Sequence, residues 1–172
     1  MPPTPQQIST GLCLDCSLCC NGTLFQDVQL LPGEAAGPLK ALGLPVVRRG
    51  RKYCFDQPCP ALRGARCEVY ATRPSHCRAF ECLLFQSVQR GEATMPKARS
   101  QIRATLIQLG KIRDLFERLG DRNDGTALRR RFLVLSRRME ASPLEADKSP
   151  LFSELTLAFH NLNLQLQEYF IP

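Results

Sequence analysis

The chain is 172 residues long, with 44% hydrophobic and 23% charged residues, enough for one compact domain or a small site-bearing module joined to a helical one. It has no apolar run long enough to cross a bilayer, so we expect no membrane partner. Its net charge of +7 attracts anions in general and selects none, and we do not expect nucleic acid as a partner because few aromatic residues accompany the basic stretches.

Residues 1–12 form a Pro-, Gln- and Thr-rich lead-in that we expect to be flexible. They contain neither the basic nor the apolar segment of a secretory signal, which predicts a cytoplasmic protein. The next stretch, residues 13–90, holds all nine cysteines and is predicted to be a cysteine-rich metal-binding region. Four of them come at once in the spacing C-x2-C-x2-CC and five follow later: Cys13, Cys16, Cys19 and Cys20, then Cys54, Cys59, Cys67, Cys77 and Cys82.

So many thiols serve either a disulfide framework or a soft-metal site. The count is odd, and the adjacent Cys19 and Cys20 could pair with each other only in a strained ring. A chain of this length also does not need covalent staples. Two thiolates spaced C-x2-C, by contrast, can converge on one tetrahedral metal. The pattern therefore favours metal ligation, with all nine cysteines as candidate ligands and a buried or redox role open for individual thiols.

Short elements are predicted between the cysteines: an extended segment over 23–31, a short helix within 35–44 and a hairpin with a basic tip over 46–55. Pro74 then starts an amphipathic helix that runs to Val88. Cys77 would lie in its first turn, where the free backbone N–H groups favour thiolate over thiol. Cys82 would point roughly 140° away from Cys77, so it could serve a different site or be a packing residue.

Residues 97–172 carry three helical apolar periods, over 97–119, 126–140 and 151–170, with loops at 120–125 and 143–150 between them. Short connections favour an antiparallel three-helix bundle, which we expect to pack on the cysteine-rich half and to supply no metal ligand. His160 is expected to face the surface or a neighbouring helix and is not a candidate ligand. The predicted fold class is therefore mainly α: an irregular cysteine-rich metal-binding half followed by a three-helix antiparallel bundle.

The cysteine pattern also resembles a known family, the YkgJ-type cysteine-cluster proteins, over about residues 12–85. The residues that carry the resemblance are the C-x2-C-x2-CC string, Cys59-Pro-Ala-Leu, and Cys67-Glu-Val-Tyr70-Ala-Thr-Arg73-Pro74-Ser-His-Cys77-Arg78-Ala-Phe80. The family is described as zinc- or iron-chelating and includes the flagellin lysine methylase, which is linked to an iron–sulfur cluster and S-adenosylmethionine. The resemblance thus implies a protein that holds a [4Fe–4S] cluster, with zinc as the alternative metal. The alternative function is a small iron–sulfur enzyme for methyl transfer or redox chemistry, although no catalytic residue is identifiable.

A [4Fe–4S] cluster or a structural zinc ion takes four ligands, so nine thiols could serve one site with spares, two sites, or one site and a reactive pair. We expect one centre shared by the first four cysteines with Cys59, Cys67 and Cys77, because the first four span too little chain to enclose a metal. Tyr70, Arg73 and Arg78 are the other candidates. They could offset thiolate charge, or bind an anionic small molecule or cofactor beside the metal. No protein partner is predicted.

Overall fold

A computed structural model describes residues 4–141 and 149–172 of the chain. The described part is mainly helical with a small antiparallel sheet, which confirms the predicted fold class at that level. Residues 1–3 of the predicted lead-in and most of the predicted loop at 143–150 lie outside the described residues. Among the helices that are described, none has both the length and the apolar character needed to cross a membrane.

Elements are numbered in chain order. The helices are α1 (Pro5–Ile8), α2 (Leu14–Cys16), α3 (Ala36–Ala41), α4 (Ser75–Ala79), α5 (Leu83–Gln89), α6 (Met95–Arg118), α7 (Leu128–Ala141) and α8 (Ser149–Tyr169). A π-helical turn over Ser9–Cys13 joins α1 to α2, and a 3₁₀ turn over Tyr70–Thr72 precedes α4. The strands are β1 (Asp27–Gln29), β2 (Val47–Arg49), β3 (Lys52–Asp56), β4 (Leu62–Arg63) and β5 (Arg66–Cys67).

The chain folds into two compact units, each built from separate stretches of sequence. The helical unit contains the described residues of Met1–Cys16, Cys82–Asn123 and Arg131–Pro172. The strand unit contains Ser17–Glu81 and Asp124–Arg130.

All five strands belong to the strand unit. The first three form an antiparallel sheet in the order β1-β3-β2, and β4 pairs with β5 as a separate hairpin. The predicted extended segment, short helix and hairpin are therefore present as β1, α3 and β2–β3. Gly50 makes the β2–β3 turn at φ +60°, a conformation that glycine adopts without a side-chain clash. Eight buried side chains form the core of this unit: Val28, Leu30, Leu39, Leu44, Val46, Phe55, Ala61 and Val69.

In the helical unit, α6 packs against α8 through apolar side chains spaced three or four residues apart, as the periodicity predicts. The Thr94 hydroxyl caps α6 by accepting a hydrogen bond from the Lys97 backbone N–H at 3.4 Å. Phe132 of α7 stacks on Phe159 of α8, with ring centroids 4.3 Å apart. The three predicted helices are each present and His160 is exposed. Their antiparallel arrangement as a bundle stays a prediction.

The single helix predicted from Pro74 to Val88 is wrong. The chain forms α4, leaves the helical conformation at Phe80 (φ −75°, ψ 119°), and begins α5 after Cys82 (φ −69°, ψ 161°). The Cys82 sulfur caps α5 by accepting a hydrogen bond from the Phe85 backbone N–H at 3.4 Å. The residues that gave the helical spacing therefore belong to two short helices. Cys77 of α4 packs in the strand unit, and Val88 of α5 is buried in the helical unit.

Candidate metal centre

All nine cysteines lie in the described part of the chain, and no disulfide bond joins any of them there. Three belong to the helical unit: Cys13, Cys16 and Cys82. The strand unit contains the other six: Cys19, Cys20, Cys54, Cys59, Cys67 and Cys77. The compact C-x2-C-x2-CC string is therefore divided between the two units, after Cys16.

Cys59, Cys67 and Cys77 meet at the strand unit's core. Each is half-buried and packs against the same cluster of apolar side chains. They come from three different elements: Cys59 precedes the β4–β5 hairpin, Cys67 ends β5, and Cys77 is the central residue of α4. The Cys59 backbone N–H also donates to the Cys20 carbonyl oxygen at 2.8 Å, which holds the end of the C-x2-C-x2-CC string beside Cys59.

The thiols of this group interact electrostatically. Burial raises the pKa of Cys59, backbone N–H groups such as that of Ala61 oppose the rise, and negative charge on Cys67 adds to it. Burial, with negative charge on Cys59 next, raises the pKa of Cys77 to about 11, although the Arg73 guanidinium favours the Cys77 thiolate. Burial opposes the expected effect of the helix N-terminus on Cys77, and α4 is only five residues long, so that expectation stays a prediction.

A bound cation reverses this preference, because it neutralises the thiolates that burial and mutual repulsion disfavour. Thiolate is a soft ligand that suits zinc and iron and not magnesium or calcium, so the donor set fits a thiophilic metal. In the ranges that the structure describes, no three Cys, His, Asp or Glu side chains lie close enough together to coordinate one ion. Metal binding at Cys59, Cys67 and Cys77 would therefore draw their sulfurs closer together.

The remaining cysteines of the strand unit have different surroundings. Cys54 lies in β3, opposite Gln29 of β1 and Val47 of β2, and is only 3% exposed. Cys19 and Cys20 are half-buried and follow Ser17, whose φ of +53° turns the chain. The Cys20 N–H donates to the Ser17 carbonyl oxygen at 2.9 Å.

In the helical unit, Cys13 is exposed at the end of the π-helical turn, and Cys16 ends α2. Burial raises the pKa of Cys82, and negative charge on Cys13 also raises it, so these two thiols lie within electrostatic reach of each other. Cys82 and Cys77 lie in different units.

The three non-cysteine candidates lie around α4. The Arg73 guanidinium carbon lies over the Tyr70 ring, 4.0 Å from its centroid. Arg78 is exposed and donates from Nη2 to the Ser75 hydroxyl at 3.1 Å. The charge of Arg73 favours the Cys77 thiolate, whereas Arg78 interacts with Glu34.

Glu34 is a site residue that the sequence analysis missed. Its Oε1 accepts a hydrogen bond from the Ser75 backbone N–H at 2.7 Å, and its Oε2 accepts one from the Leu31 N–H at 3.1 Å. Glu34 therefore ties the start of α4, and with it Cys77, to the turn before α3. Ser75 is 41 residues away along the chain, so no local pattern could have revealed this contact.

A family model described as "CxxCxxCC: Putative zinc- or iron-chelating domain" matches residues 12–101, which is 90 of the 172 residues. The chain belongs to this family. The match includes every cysteine and confirms the resemblance stated from the motifs. Membership supports metal binding by the cysteine cluster and does not choose between zinc and iron. No curated protein and no solved structure matches the chain.

Proposed function

We propose that the protein holds a thiophilic metal centre through four thiolates of the strand unit: Cys20, Cys59, Cys67 and Cys77. The observation that carries the proposal is that Cys59, Cys67 and Cys77 pack against one core and lie within electrostatic reach of one another. Thiols placed in this way can lose their protons together when a cation offsets the burial of the thiolates and the repulsion between them.

Cys20 is the proposed fourth ligand. Zinc sites and [4Fe–4S] clusters both take four protein ligands in their closed form. Cys20 belongs to the same unit as the other three, and its carbonyl oxygen already accepts the Cys59 N–H. This hydrogen bond holds Cys20 beside one of the other three ligands, so the choice keeps one part of the C-x2-C-x2-CC string in the centre.

The proposal narrows the nine candidate ligands. Cys54 is assigned a packing role, since a 3% exposed thiol between two strands lies inside the sheet. Cys13, Cys16 and Cys82 are assigned to the helical unit and not to this centre. Cys19 is not chosen as the fourth ligand, because the backbone hydrogen bond to Cys59 is made by Cys20.

The metal favoured by the resemblance is iron, as a [4Fe–4S] cluster, with zinc as the alternative. A bound cluster would supply electron transfer; only a cluster held by three of these thiolates would leave an iron open to a substrate. The chain's own contribution is the half-buried thiol of Cys77 and the positive charge of Arg73 and Arg78, which would accept an anionic small molecule with Tyr70 beside it. The cytoplasm keeps cysteine thiols reduced, so nine cysteines without a disulfide in the described residues favour a cytoplasmic protein.

The test is anaerobic purification of the full chain, followed by elemental analysis and an absorption spectrum. Iron with acid-labile sulfide and broad visible absorption supports the cluster, and a colourless protein that contains zinc supports the alternative. The single variants Cys59→Ser, Cys67→Ser and Cys77→Ser should each lower the bound metal. Cys54→Ala is the matched control and should retain it, because that thiol is inside the sheet. Full metal content in a variant that carries all three serine substitutions would overturn the proposal.

A further inference from the structure

A further inference, which rests on the proposed metal centre, concerns the side chain of Arg73. Its guanidinium carbon lies over the Tyr70 ring, 4.0 Å from the ring centroid. The Arg73 Nε atom is shielded from solvent, and within the described part of the chain it has no hydrogen-bond partner. Cys77 follows four residues later, on the helix that begins directly after Pro74.

A buried N–H group without an acceptor is costly, and native structures rarely keep one without a reason. The contact with the Tyr70 ring helps to hold the guanidinium where its Nε atom is shielded from solvent. The group therefore lacks an acceptor that metal binding could supply, by turning a neutral thiol nearby into a metal-bound thiolate. Cys77 is a nearby sulfur that could become this acceptor: it lies four residues after Arg73 on α4, it is half-buried against the strand unit's core, and the charge of Arg73 reaches it.

We propose that Arg73 is a positioning residue of the metal centre, whose Nε–H donates to a sulfur of the bound centre at Cys77. Hydrogen bonds to metal-bound sulfur orient the ligand and tune the metal. Arginine suits this role better than lysine, because its planar group can stack on an aromatic ring while an N–H in that plane stays aimed at one acceptor.

The test uses the full-length, metal-free protein and Co²⁺ alone, whose thiolate-to-metal charge-transfer band reports the sulfur ligands directly. A hydrogen bond to a thiolate stabilises its lone pair, so its loss moves this band to longer wavelength. Arg73→Gln should shift the band in that direction and weaken Co²⁺ binding about tenfold, the lower end of the effect seen when a group that supports a metal ligand is removed. Arg66→Gln is the matched control: it removes the same charge from an exposed site next to Cys67 and should leave band and affinity unchanged.

Arg73→Lys separates the hydrogen bond from the charge. It should recover part of the affinity while the band stays shifted, and full recovery of both would overturn the inference. The stability of the metal-free protein distinguishes a role at the metal centre from a purely structural role of Arg73. Arg73→Gln removes a buried donor that has no acceptor there, so metal-free stability should not fall along with the affinity. If Arg73→Gln lowered metal-free stability and Co²⁺ affinity by the same amount and left the charge-transfer band in place, the inference would also be overturned.

The outcomes distinguish this inference from the proposed function. A wild-type protein that shows no thiolate-to-cobalt band would refute the metal centre itself. A wild-type protein that shows the band, with Arg73→Gln identical to it, would refute only the role of Arg73. An effect that appears only when an anionic small molecule is added, and not with Co²⁺ alone, would assign Arg73 to that molecule instead of the sulfur.

Discussion

Replacing Glu34 with alanine should loosen α4 and weaken the strand unit. The Glu34 carboxylate accepts hydrogen bonds from two backbone N–H groups, at 2.7 Å from Ser75 and at 3.1 Å from Leu31. Ser75 is the first residue of α4, and no side chain of its N-cap residue, Pro74, satisfies that helix end. Alanine at position 34 therefore leaves both N–H groups without this acceptor.

A hydrogen bond to a charged group contributes about 1.5–3 kcal/mol when it is shielded from water. Glu34 is only partly buried, so we take about 1 kcal/mol for each bond after screening by solvent, or about 2 kcal/mol in total. That is about a 30-fold change in the ratio of folded to unfolded protein. Glu34→Gln should cost less, because its amide oxygen can still accept the Ser75 N–H.

The charge on Glu34 also gives the effect a pH dependence. Burial alone would raise the pKa of Glu34, but the hydrogen bonds from Ser75 and Leu31 outweigh it and hold the pKa below its ordinary value of 4.5. A carboxyl whose pKa is lower in the folded state stabilises the protein above its unfolded pKa, and this stabilisation is lost as the pH falls through the folded pKa. The difference in unfolding free energy between wild type and Glu34→Gln should therefore be largest at neutral pH and become smaller in acid.

Hydrogen exchange of the metal-free full chain, followed by mass spectrometry, measures this effect locally. Peptides that cover Ser75–Ala79 should exchange up to about 30-fold faster in Glu34→Ala than in wild type, while peptides from α6 should not change. Unchanged protection at both Leu31 and Ser75 would refute the reasoning.

Two further predictions concern stability, each with its own control. The Asp121 carboxylate lies 3.1 Å from the guanidinium of Arg131, whose side chain is only 5% exposed. Asp121→Ala leaves that charge buried without this partner and should lower the free energy of unfolding, measured in urea, by about 3 kcal/mol. Adding Arg131→Met should recover part of the lost stability, and a double variant less stable than Asp121→Ala would contradict the reasoning. Gly22→Ala should lower the melting temperature more than Gly33→Ala. Both glycines have positive φ, at +80° and +85°, but only at Gly22 would a Cβ atom meet backbone, at 3.0 Å from the Ala127 Cα, so equal shifts would count against the packing argument.

The long helices could be predicted because their sequence signal is local. In α6 and α8 the apolar spacing persists over several turns, and Thr94 and Pro96 mark the start of α6. The break between α4 and α5 could not be predicted in the same way. Residues 79–82 contain neither glycine nor proline, and the break is fixed by distant contacts, such as the ring of Phe25, 4.9 Å from that of Phe80.

The sequence could predict that the cysteines form a metal-binding motif, but not which cysteines the fold brings together. The cysteine spacing and the motif from Cys67 to Phe80 indicated the family correctly, because both are patterns within short stretches. The division of the cysteines between two units was not visible, since Cys16 and Cys19 are three residues apart and still fall in different units. The core that gathers Cys59, Cys67 and Cys77 also joins side chains from Val28 to Val69, which no local period relates.

The most direct test of the metal centre is X-ray absorption at the metal edge of the anaerobically purified full chain. Four thiolate ligands on zinc predict a first shell of four sulfur atoms at about 2.3 Å and no nitrogen or oxygen. A [4Fe–4S] cluster predicts an all-sulfur shell together with a short iron–iron distance. In either case Cys77→Ser should replace part of the sulfur shell by oxygen or lose the metal. A first shell made of nitrogen and oxygen, or a sulfur shell that Cys77→Ser leaves intact, would contradict the account.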